Sequence, residues 1–535
     1  MVISLLGAVL AALLLTDRAS AGPGATLCVG GAPGCYLTIQ AAVDAAQDGD
    51  TIRVRPGTFA GGIAIDKSIS LVGSGARRTV IDGGGPVLAI GAFLAPTEPV
   101  VTISSVTVTG GVSSSSALST EWTGEENVIA LGGGIEIFPA EDYTTGATVT
   151  VRNSIIRENR AAPTATAPFG PDCPGGPCPF AWAKGGGIDN WGRLSLRNTV
   201  VSDNVVAGVA SDADGGGIND WWPGTVSLAN STMERNRALA AIPNGRFAEG
   251  GGIFTDPGVE LTLRNSLVRG NTASLTSTLP YFVPGADPLD MNANGGGIHA
   301  GDDSTVTIEN TKFSGNVVSV DDPNGEPVAF DSALHPGAGP LSLRNSVLTN
   351  NRLVATVGSS EDVGPSGSAL DVNGPATVSN VRITENTTLV TSGAGLAAAV
   401  AAVYAGDTAE ERAVISNSVI RGNTTTASSL SGAATVQGSG LLNEGILELR
   451  NDLITNNTGR ATAPDGFAQG GGIWNASVFN PPPIDLTLDH TSVTGNRLFA
   501  SSGVTVQGGG LFTDFPVTLK NSRLTGNSPD NCYGC

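Results

Sequence analysis

Short runs of alternating apolar and polar residues recur along most of the chain. One run reads Leu194-Ser-Leu-Arg-Asn198-Thr-Val-Val-Ser-Asp-Asn204, and close copies begin at Leu261, Leu341 and Leu447. Alternation sends Leu194 and Leu196 to one face of the run and Ser195 to the other. The pattern predicts β-strands that bury one face, because the intervals between the runs show no helical hydrophobic period.

A pair of Asn residues six positions apart marks each repeat, and the mean repeat length is about 37 residues. Self-similarity at such a period is typical of solenoids, in which no single unit can bury its apolar face alone. One unit keeps the spacing with His490 in the first position and Asn496 in the second. The other pairs lie at 153/159, 198/204, 230/236, 265/271, 310/316, 345/351, 380/386, 417/423, 451/457 and 521/527.

A third element, Gly-Gly-Gly-Ile or a close variant, precedes most of these runs, as at 185–188 and 215–218. Each coil then offers three short strands, which predicts an all-β fold: a single-stranded, right-handed parallel β-helix. Asn side chains at the corners are expected to hydrogen-bond from coil to coil, and Gly to fit the sharp corners. A leucine-rich-repeat horseshoe or a β-propeller would instead need a helical period or four strands per blade.

The start of the repeat region predicts a short capping helix. Apolar Ile39, Ala42, Val43 and Ala46 follow helical spacing, and Thr38 precedes them as a candidate N-cap. Such a helix would cover the open first coil and its unpaired strand edges.

Two stretches of the sequence resemble known families. Segments 39–46, 49–58 and 69–75, which include Gly49-Asp-Thr-Ile-Arg-Val-Arg-Pro-Gly-Thr58, resemble the opening of pectin-lyase-like right-handed β-helix proteins. The later repeats resemble those of chlamydial-type polymorphic outer membrane proteins, whose units carry Gly-Gly-Ala-Ile and Phe-x-x-Asn. Here the first motif is mostly Gly-Gly-Gly-Ile, and the second is literal only at Phe313-Ser-Gly-Asn316. The resemblance implies this fold and secretion or surface display, with adhesion known for the chlamydial type.

Three regions are expected: a signal peptide at 1–21, a cap with the first coils at 22–110, and repeated coils with projecting loops at 111–535. The apolar run from Val2 to Leu15, followed by Ala19-Ser-Ala21, is typical of a cleaved leader. A membrane anchor is the alternative, but the run is shorter than the roughly 20 residues of a membrane span. We expect a secreted or surface-associated protein with no membrane span in the mature chain.

The charge balance limits the partners of this chain. The formal net charge is −20, and basic residues form no cluster in the sequence. Nucleic acid and anionic membranes are not expected as partners, because both require Lys and Arg residues that neutralise phosphate. An acidic polysaccharide would also be repelled, unless local Arg residues or a bound cation screen it.

Six Cys residues fall in three close pairs. An even count in local pairs behind a secretory leader favours disulfides. Metal binding by the Cys-x-x-Cys pair at the end of the chain is the alternative, but no second pair of that kind accompanies it. The three predicted disulfides join Cys28 to Cys35, Cys173 to Cys178, and Cys532 to Cys535.

Long insertions at 160–184, 272–294 and 317–330 are expected to project as loops from one edge of the rod. Outward positions beside that edge carry carboxylates and aromatic rings in successive coils, which suits sugar binding. The alternative is that the rings only cover gaps at the corners of the coils and that the acids are ordinary solvent-exposed residues of turns. The predicted ligand-binding residues are Glu136, Asp189, Trp191, Asp220, Trp221, Trp222, Phe254, Asp256 and His299, with Phe138, Asp302 and Asp303 beside them.

Asp189 and Asp220 are the first candidates for catalysis, because carboxylates on adjacent coils could act as acid and base on a glycosidic bond. The Asp489-His490 pair resembles a catalytic dyad fragment, but His490 replaces a ladder Asn and a structural role is favoured. No metal site and no cofactor are predicted. Calcium is the ion that the acidic segments 212–214 and 321–325 would take, although neither has the spacing of a known calcium loop and both read as acidic turns.

The sequence favours a secreted, monomeric rod that binds an extracellular glycan or a cell-surface component without catalysis. The alternative is a polysaccharide lyase or glycoside hydrolase that uses carboxylates on the outer face of the Gly-Gly-Ile sheet. A structural spacer is the third hypothesis, and it predicts neither binding nor turnover.

Overall fold

The computed structural model describes residues 24–115, 129–163, 181–208, 212–241, 247–276, 292–322, 328–357, 369–406, 412–477 and 483–535. Over these ranges the chain winds through successive coils, and every paired strand lies parallel to the equivalent strand of the next coil. The predicted right-handed parallel β-helix is confirmed. The proposed leader at 1–21 lies outside the described residues.

Three sheets, A to C, enclose the main core. Sheet A holds the Leu-x-Leu strands, sheet B the strands between the two Asn residues, and sheet C the Gly-Gly-Ile strands. In Arg193–Arg197 the two Leu side chains are buried and Ser195 faces outward, as the alternation predicts. The inward rows pile Val, Ile and Leu side chains into one continuous core along the described coils.

The strands of sheet A are Thr26–Val29, Thr51–Val54, Ser70–Val72, Val100–Ser104, Thr148–Arg152, Arg193–Arg197, Thr225–Ala229, Glu260–Arg264, Thr305–Glu309, Leu341–Arg344, Ala376–Ser379, Ala413–Ser416, Ile446–Arg450, Asp485–Asp489 and Val517–Lys520. Those of sheet B are Gly57–Ala60, Thr79–Asp82, Thr107–Thr109, Ile155–Arg157, Val200–Ser202, Thr232–Glu234, Leu267–Arg269, Lys312–Ser314, Val347–Thr349, Arg382–Thr384, Val419–Arg421, Leu453–Thr455, Ser492–Thr494 and Arg523–Thr525. Those of sheet C are Ile63–Ile65, Leu88–Ile90, Ile135–Ile137, Ile188–Asn190, Ile218–Asp220, Ile253–Thr255, Ile298–Ala300, Leu334–His335, Leu370–Val372, Val403–Ala405, Leu441–Asn443, Ile473–Asn475, Leu511–Thr513 and Cys532–Tyr533.

The insertions also form sheets, so the prediction of three strands per coil with projecting loops is wrong for the described parts of these segments. After the second Asn the chain enters sheet D, and it returns through sheet E or, in later coils, sheet F. Ala161, Ala183, Val206 and Ala213 are among the small apolar side chains that form a second, thin core there. Small side chains let these sheets pack closely. We call sheets D, E and F together the fin, and the three-sheet part of the protein the rod.

Sheet D contains Val112–Ser113, Arg160–Ala161, Val205–Gly208, Arg237–Ala241, Thr272–Thr276, Val317–Asp322, Arg352–Val357, Thr387–Ser392, Thr424–Ser429, Thr458–Thr462 and Arg497–Ala500. Sheet E contains Ile129–Leu131, Trp182–Lys184, Asp212–Asp214, Phe247–Glu249, Asn292–Asn294 and Val328–Phe330. Sheet F contains Ala397–Val400, Ala433–Gln437, Asp465–Gln469 and Val504–Gln507.

The second Asn of each repeat forms a buried amide ladder, which confirms the expected bonding along the rod. The Asn204 side-chain amide donates to the Asn236 Oδ1 atom at 2.9 Å, and the same Oδ1 accepts the Asn204 backbone N–H at 3.1 Å. The Asn204 amide also donates to the Ile156 carbonyl at 3.0 Å. The same pattern runs from Asn159 through Asn496 to Asn527. The first Asn has another role, since it is exposed and adopts a positive φ near 50° at Asn153 and Asn198.

The Gly-Gly-Gly motif is explained by two different requirements. Gly185 has a φ of +62°, a conformation that other residues adopt at a cost. A Cβ atom on Gly186 or Gly187 would lie 2.6 Å from the carbonyl oxygen of Gly216 or Gly217 in the next coil. Close stacking of neighbouring coils therefore excludes side chains at this corner.

The predicted helix caps the first coil. It spans Ile39–Ala45 and buries Ile39, Ala42 and Val43, and the Thr38 Oγ1 atom accepts the Ala41 N–H at 3.1 Å. Within the described ranges, no helix is long and apolar enough to cross a membrane.

Two of the three predicted disulfides are present, one at each end of the rod. They join Cys28 to Cys35 and Cys532 to Cys535, so the alternative of a metal at the last pair is not supported. The third predicted disulfide, between Cys173 and Cys178, is not confirmed. Cys173 lies in the insertion between residues 163 and 181, outside the described residues, and so does Cys178. The pairing of Cys173 with Cys178 therefore stays a prediction.

Candidate functional site

The outward row of sheet C packs against sheet E where the fin joins the rod, and we call this largely buried contact the notch. The notch is lined by Glu136, Asp189, Asn219, Phe254, His299, His335 and Asp371 from sheet C, and by Lys184, Asp214, Glu249 and Asn294 from sheet E. Aligned parallel strands place each of these side chains beside its equivalent in the next coil. Four of the nine predicted binding residues, Glu136, Asp189, Phe254 and His299, therefore belong to one continuous row.

The predicted outward position of Asp220 is wrong. Asp220 is in register with Asn190 and Thr255, and this row continues the inward positions of Ile137 and Ala300, which belong to the main core. The Asp220 Oδ1 atom accepts the Asn190 side-chain amide at 2.5 Å, and burial raises the pKa of Asp220 well above its ordinary value. A one-residue difference in register moves a strand side chain to the other face.

Aromatic rings close the notch over Asp189. The rings of Trp191 and Trp221 stack with centroids 4.4 Å apart, and each residue is only 6 % exposed. The Trp221 indole N–H donates to the Asp189 carboxylate, which also accepts the Asn219 side-chain amide at 2.8 Å. Asp189 is fully buried, and this burial, opposed by those hydrogen bonds, raises its pKa to about 7.

The remaining predicted binding residues differ in their exposure. Glu136 and Phe254 are buried, while Asp256 and His299 are half-buried. Trp222 is 53 % exposed, and its backbone N–H donates to the Asp256 carboxylate at 3.3 Å. Of the predicted binding residues, Trp222 therefore offers the most surface to a ligand.

One buried lysine neutralises part of a cluster of acids in the notch. The Lys184 ammonium donates to Asp214 at 2.6 Å and lies 4.7 Å from the Trp221 ring centroid and 4.9 Å from that of Phe254. Burial opposes the charge of Lys184, but the carboxylates of Asp214 and Asp256 outweigh it and raise its pKa. Burial also raises the pKa of Glu249 to about 7. The cluster holds more carboxylates than cations, so it retains protons near neutral pH.

A second polar cluster lies further along the same row. The His335 Nδ1 atom lies 2.9 Å from Asp331 Oδ2 and 3.1 Å from Asp371 Oδ2. The ring of His299 stacks on that of His335 with centroids 4.7 Å apart. Burial opposes the charge of His335, but hydrogen bonds and attraction from the two carboxylates raise its pKa to about 10.

The accessible face of sheet A carries an arginine row. Arg152 and Arg197 are in register on adjacent coils, and Arg264 follows two coils later, after Ala229. All three Arg residues are exposed, and no carboxylate in the described chain pairs with them. In the same row, Arg344 instead pairs with Glu309 at 3.3 Å.

Two shallow grooves run along this face and share Arg197 and Asn198. Arg152 and Asn153 also line the first groove, and Arg264 lines the second. Beside the arginines runs an uninterrupted row of hydroxyl side chains: Ser70, Thr102, Thr150, Ser195, Ser227, Thr262, Thr307, Ser342 and Thr377.

The other sequence candidates occupy ordinary structural positions. Asp212 and Asp214 lie in a strand of sheet E rather than in a turn, and Asp214 pairs with Lys184. Segment 321–325 begins in sheet D, and its residues 323–325 lie outside the described part. His490 is exposed, has a φ of 51° and contacts Asp489 at 2.7 Å.

Sequence reasoning missed Lys184, Asp331, His335 and Asp371, and it quoted the Leu-x-Leu-Arg-Asn runs without singling out their arginines. The signal for the arginine row was present, since Arg197 and Arg264 occupy equal positions in aligned repeats.

No family model matches the chain, and no curated protein matches it. Among solved structures, the chain is similar to pectate lyase Pel9A at 12 % identity, with 69 % of this chain and 77 % of that chain covered and a TM-score of 0.31. A pectin methylesterase from Aspergillus niger shares 12 % identity over 58 % of this chain and 85 % of that one, with a TM-score of 0.27. The A-module of the mannuronan C-5 epimerase AlgE4 from Azotobacter vinelandii shares 11 % over 91 % and 93 %, with a TM-score of 0.23. At these TM-scores we draw no conclusion about this chain from them, and the resemblance to polymorphic outer membrane proteins stays a prediction.

Proposed function

We propose that this protein is a non-catalytic, secreted β-helix rod that binds an acidic glycan along the arginine row of sheet A. The observation that carries the proposal is the unpaired, exposed set of Arg152, Arg197 and Arg264 in a protein whose formal net charge is −20. Like charges on adjacent strands destabilise a sheet, so Arg152 beside Arg197 is a cost that a bound anion would offset.

The neighbouring groups suit a carboxylated or sulfated sugar chain. Guanidinium groups bind carboxylate and sulfate through paired N–H donors. The exposed Asn153 and Asn198 and the hydroxyl row supply donors and acceptors for sugar hydroxyls. Local arginines answer the objection that an acidic chain would repel an acidic polysaccharide.

The burial of the notch favours binding over catalysis. Asp189 is covered by Trp221 and Asp220 faces the core, so neither carboxylate meets a substrate in this conformation. The Cys28–Cys35 disulfide supports an oxidising, extracellular location.

Binding of polygalacturonate, alginate and heparin, measured with uncharged dextran as the reference, tests the proposal. Replacing Arg152, Arg197 and Arg264 together by Ser should weaken binding at least about tenfold, because three charge-assisted contacts are lost. It should also reduce the salt dependence of the affinity. Arg344→Ser is the matched control, since Arg344 stands in the same row but is paired with Glu309. Equal binding by the triple variant and the wild type contradicts the proposal.

The enzyme alternative remains distinguishable in the same experiment. Carboxyl groups with a pKa of about 7, such as Asp189 and Glu249, have the protonation behaviour that general acid–base catalysis requires. Chain cleavage by the wild type that is lost in Asp189→Asn would favour a lyase or hydrolase. Binding of the glycan without release of cleavage products favours the non-catalytic, glycan-binding function.

A further inference from the structure

The repeat changes at the corner beside the notch in the coil that begins with Asp331. The five preceding copies, at 132–135, 185–188, 215–218, 250–253 and 295–298, read Gly-Gly-Gly-Ile, whereas this coil reads Asp331-Ser332-Ala333-Leu334, and His335 follows in the outward row of sheet C. The next coil contributes Asp371, which the register places beside His335. Two changes at neighbouring coils therefore bring an imidazole and two carboxylates together.

The side-chain atoms of this cluster that can bind a metal lie close together. One ligand atom from each of Asp331, His335 and Asp371 can be chosen so that all lie within 4.8 Å of one another. The two Nδ1–oxygen distances are 2.9 and 3.1 Å. In a tetrahedral site with metal–ligand bonds of about 2.0 Å, two ligand atoms lie about 3.3 Å apart, which is close to these values.

Several buried polar atoms around the cluster have no hydrogen-bond partner among the described residues. Asp331 and Asp371 are 1 % and 3 % exposed, and the Oδ1 atom of each accepts no hydrogen bond from the part of the chain that the structure describes. The Ser332 hydroxyl, fully buried between these coils, also has none. Leaving such atoms unsatisfied is unfavourable, and a cation would satisfy carboxylate oxygens that no protein donor reaches.

We propose that Asp331, His335 and Asp371 bind a divalent transition-metal ion of the zinc class. An imidazole ligand selects zinc, cobalt or nickel over calcium and magnesium, which prefer oxygen ligands alone. Three protein ligands leave room for water or a ligand oxygen in a fourth position. The site is separate from the arginine row, so it stands or falls independently of the proposed glycan binding.

Titration of EDTA-treated, tag-free protein with zinc chloride tests the site. We expect one ion per chain with a dissociation constant of about 1 μM or lower. His335→Gln and Asp371→Asn should each weaken zinc binding at least about tenfold. The chain has only three His residues, and His490→Gln is the matched control because His490 also contacts an Asp, but at an exposed position.

Two results would overturn the proposal. One is the absence of stoichiometric zinc binding, and the other is binding that survives both His335→Gln and Asp371→Asn. If these variants fail to fold by circular dichroism, cobalt(II) added to the wild type decides instead. A visible absorption band stronger than that of the aqueous ion supports the site, and an unchanged aqueous spectrum refutes it.

Discussion

The outward row of sheet C is polar in one half of the rod and apolar in the other, although the strands of this sheet pair in parallel throughout. Near the middle of the chain this row contains Asp189, His335 and Asp371. In later coils the same row continues as Leu442, Trp474 and Phe512, which are buried and belong to one apolar cluster.

The later half shows that the fold accepts an apolar filling at these positions. Trp474 and Phe512 stack in parallel with centroids 6.4 Å apart, and Phe512 stacks on Tyr533 at 5.4 Å. Burying charges instead of rings is expensive even when they are paired. The polar half is therefore not a requirement of the β-helix, which is why we look there for a function beyond folding.

Of the changes that test this comparison, removing the buried Lys184 charge should have the largest effect on the free energy of unfolding. Lys184→Met leaves the acids around it without a positive charge, so we expect the free energy of unfolding to fall by about 3–5 kcal/mol. Chemical denaturation followed by circular dichroism measures the change.

Lys312→Met is the matched control, because Lys312 is exposed on sheet B and should cost far less. Adding Asp214→Leu to Lys184→Met should recover part of the loss, since it removes the carboxylate that Lys184 contacts. A fall of less than about 1 kcal/mol in the free energy of unfolding of Lys184→Met would show that burial of the acids does not depend on the charge of Lys184.

A buried acid without a basic partner gives an intermediate, pH-dependent effect. Asp452 is 4 % exposed, and burial, opposed by two backbone hydrogen bonds, raises its pKa to about 7. Because the folded pKa lies above the unfolded value, stability is present at low pH and is lost as the pH rises from about 4 to about 7. Asp452→Ser should add about 2 kcal/mol at pH 8 and almost nothing at pH 4.

Serine fits this position because it fills the same row in other coils, where the Ser231 hydroxyl accepts the Thr199 N–H. Unfolding of both proteins across this pH range checks the prediction. Asp485→Ser, at an exposed acid of the same region, should leave the pH profile unchanged. An equal gain for Asp452→Ser at both pH values would rule out ionisation as the cause.

The smallest effect is expected at the rim of the notch. Trp222→Ala should change the free energy of unfolding by no more than about 0.5 kcal/mol, because the side chain is largely exposed. Thermal and chemical unfolding measure this change, with Trp222→Phe as the conservative control. A loss well above 1 kcal/mol would mean that Trp222 packs as part of the notch, as Trp221 does.

The sequence allowed the rod to be predicted because its signals are local and repeated. Leu194 and Leu196 face inward, Thr38 caps the helix, and Asn204 joins the ladder, each as its spacing indicates. The fin was not predicted, because its strands in sheet E are as short as three residues. In the strand Trp182–Lys184, for example, the only inward side chain is the small Ala183, and its burial is evident only when sheet D is seen to pack against it.

The candidate site was harder to predict, because its chemistry depends on register between coils. Asp189 and Asp220 were paired by similarity of position, and a shift of one residue separated them into an outward and an inward row. Lys184 and Asp214 are 30 residues apart, and no local feature of the sequence distinguishes this acid–base pair from others. Only the alignment of the coils identifies which of these pairs meet inside the protein.

The amide ladder gives the rod a direction. Each ladder Asn donates forward to the Oδ1 atom of the next coil and backward to a carbonyl of the preceding coil, so a coil presents unlike surfaces to its two neighbours. A whole repeat could therefore be duplicated or deleted and the new neighbours would still match. A partial coil would leave mismatched amides, so the ladder can lengthen only by whole coils, whereas the spacing of 45, 32 and 35 residues between successive ladder Asn residues shows that insertions after the second Asn leave it intact.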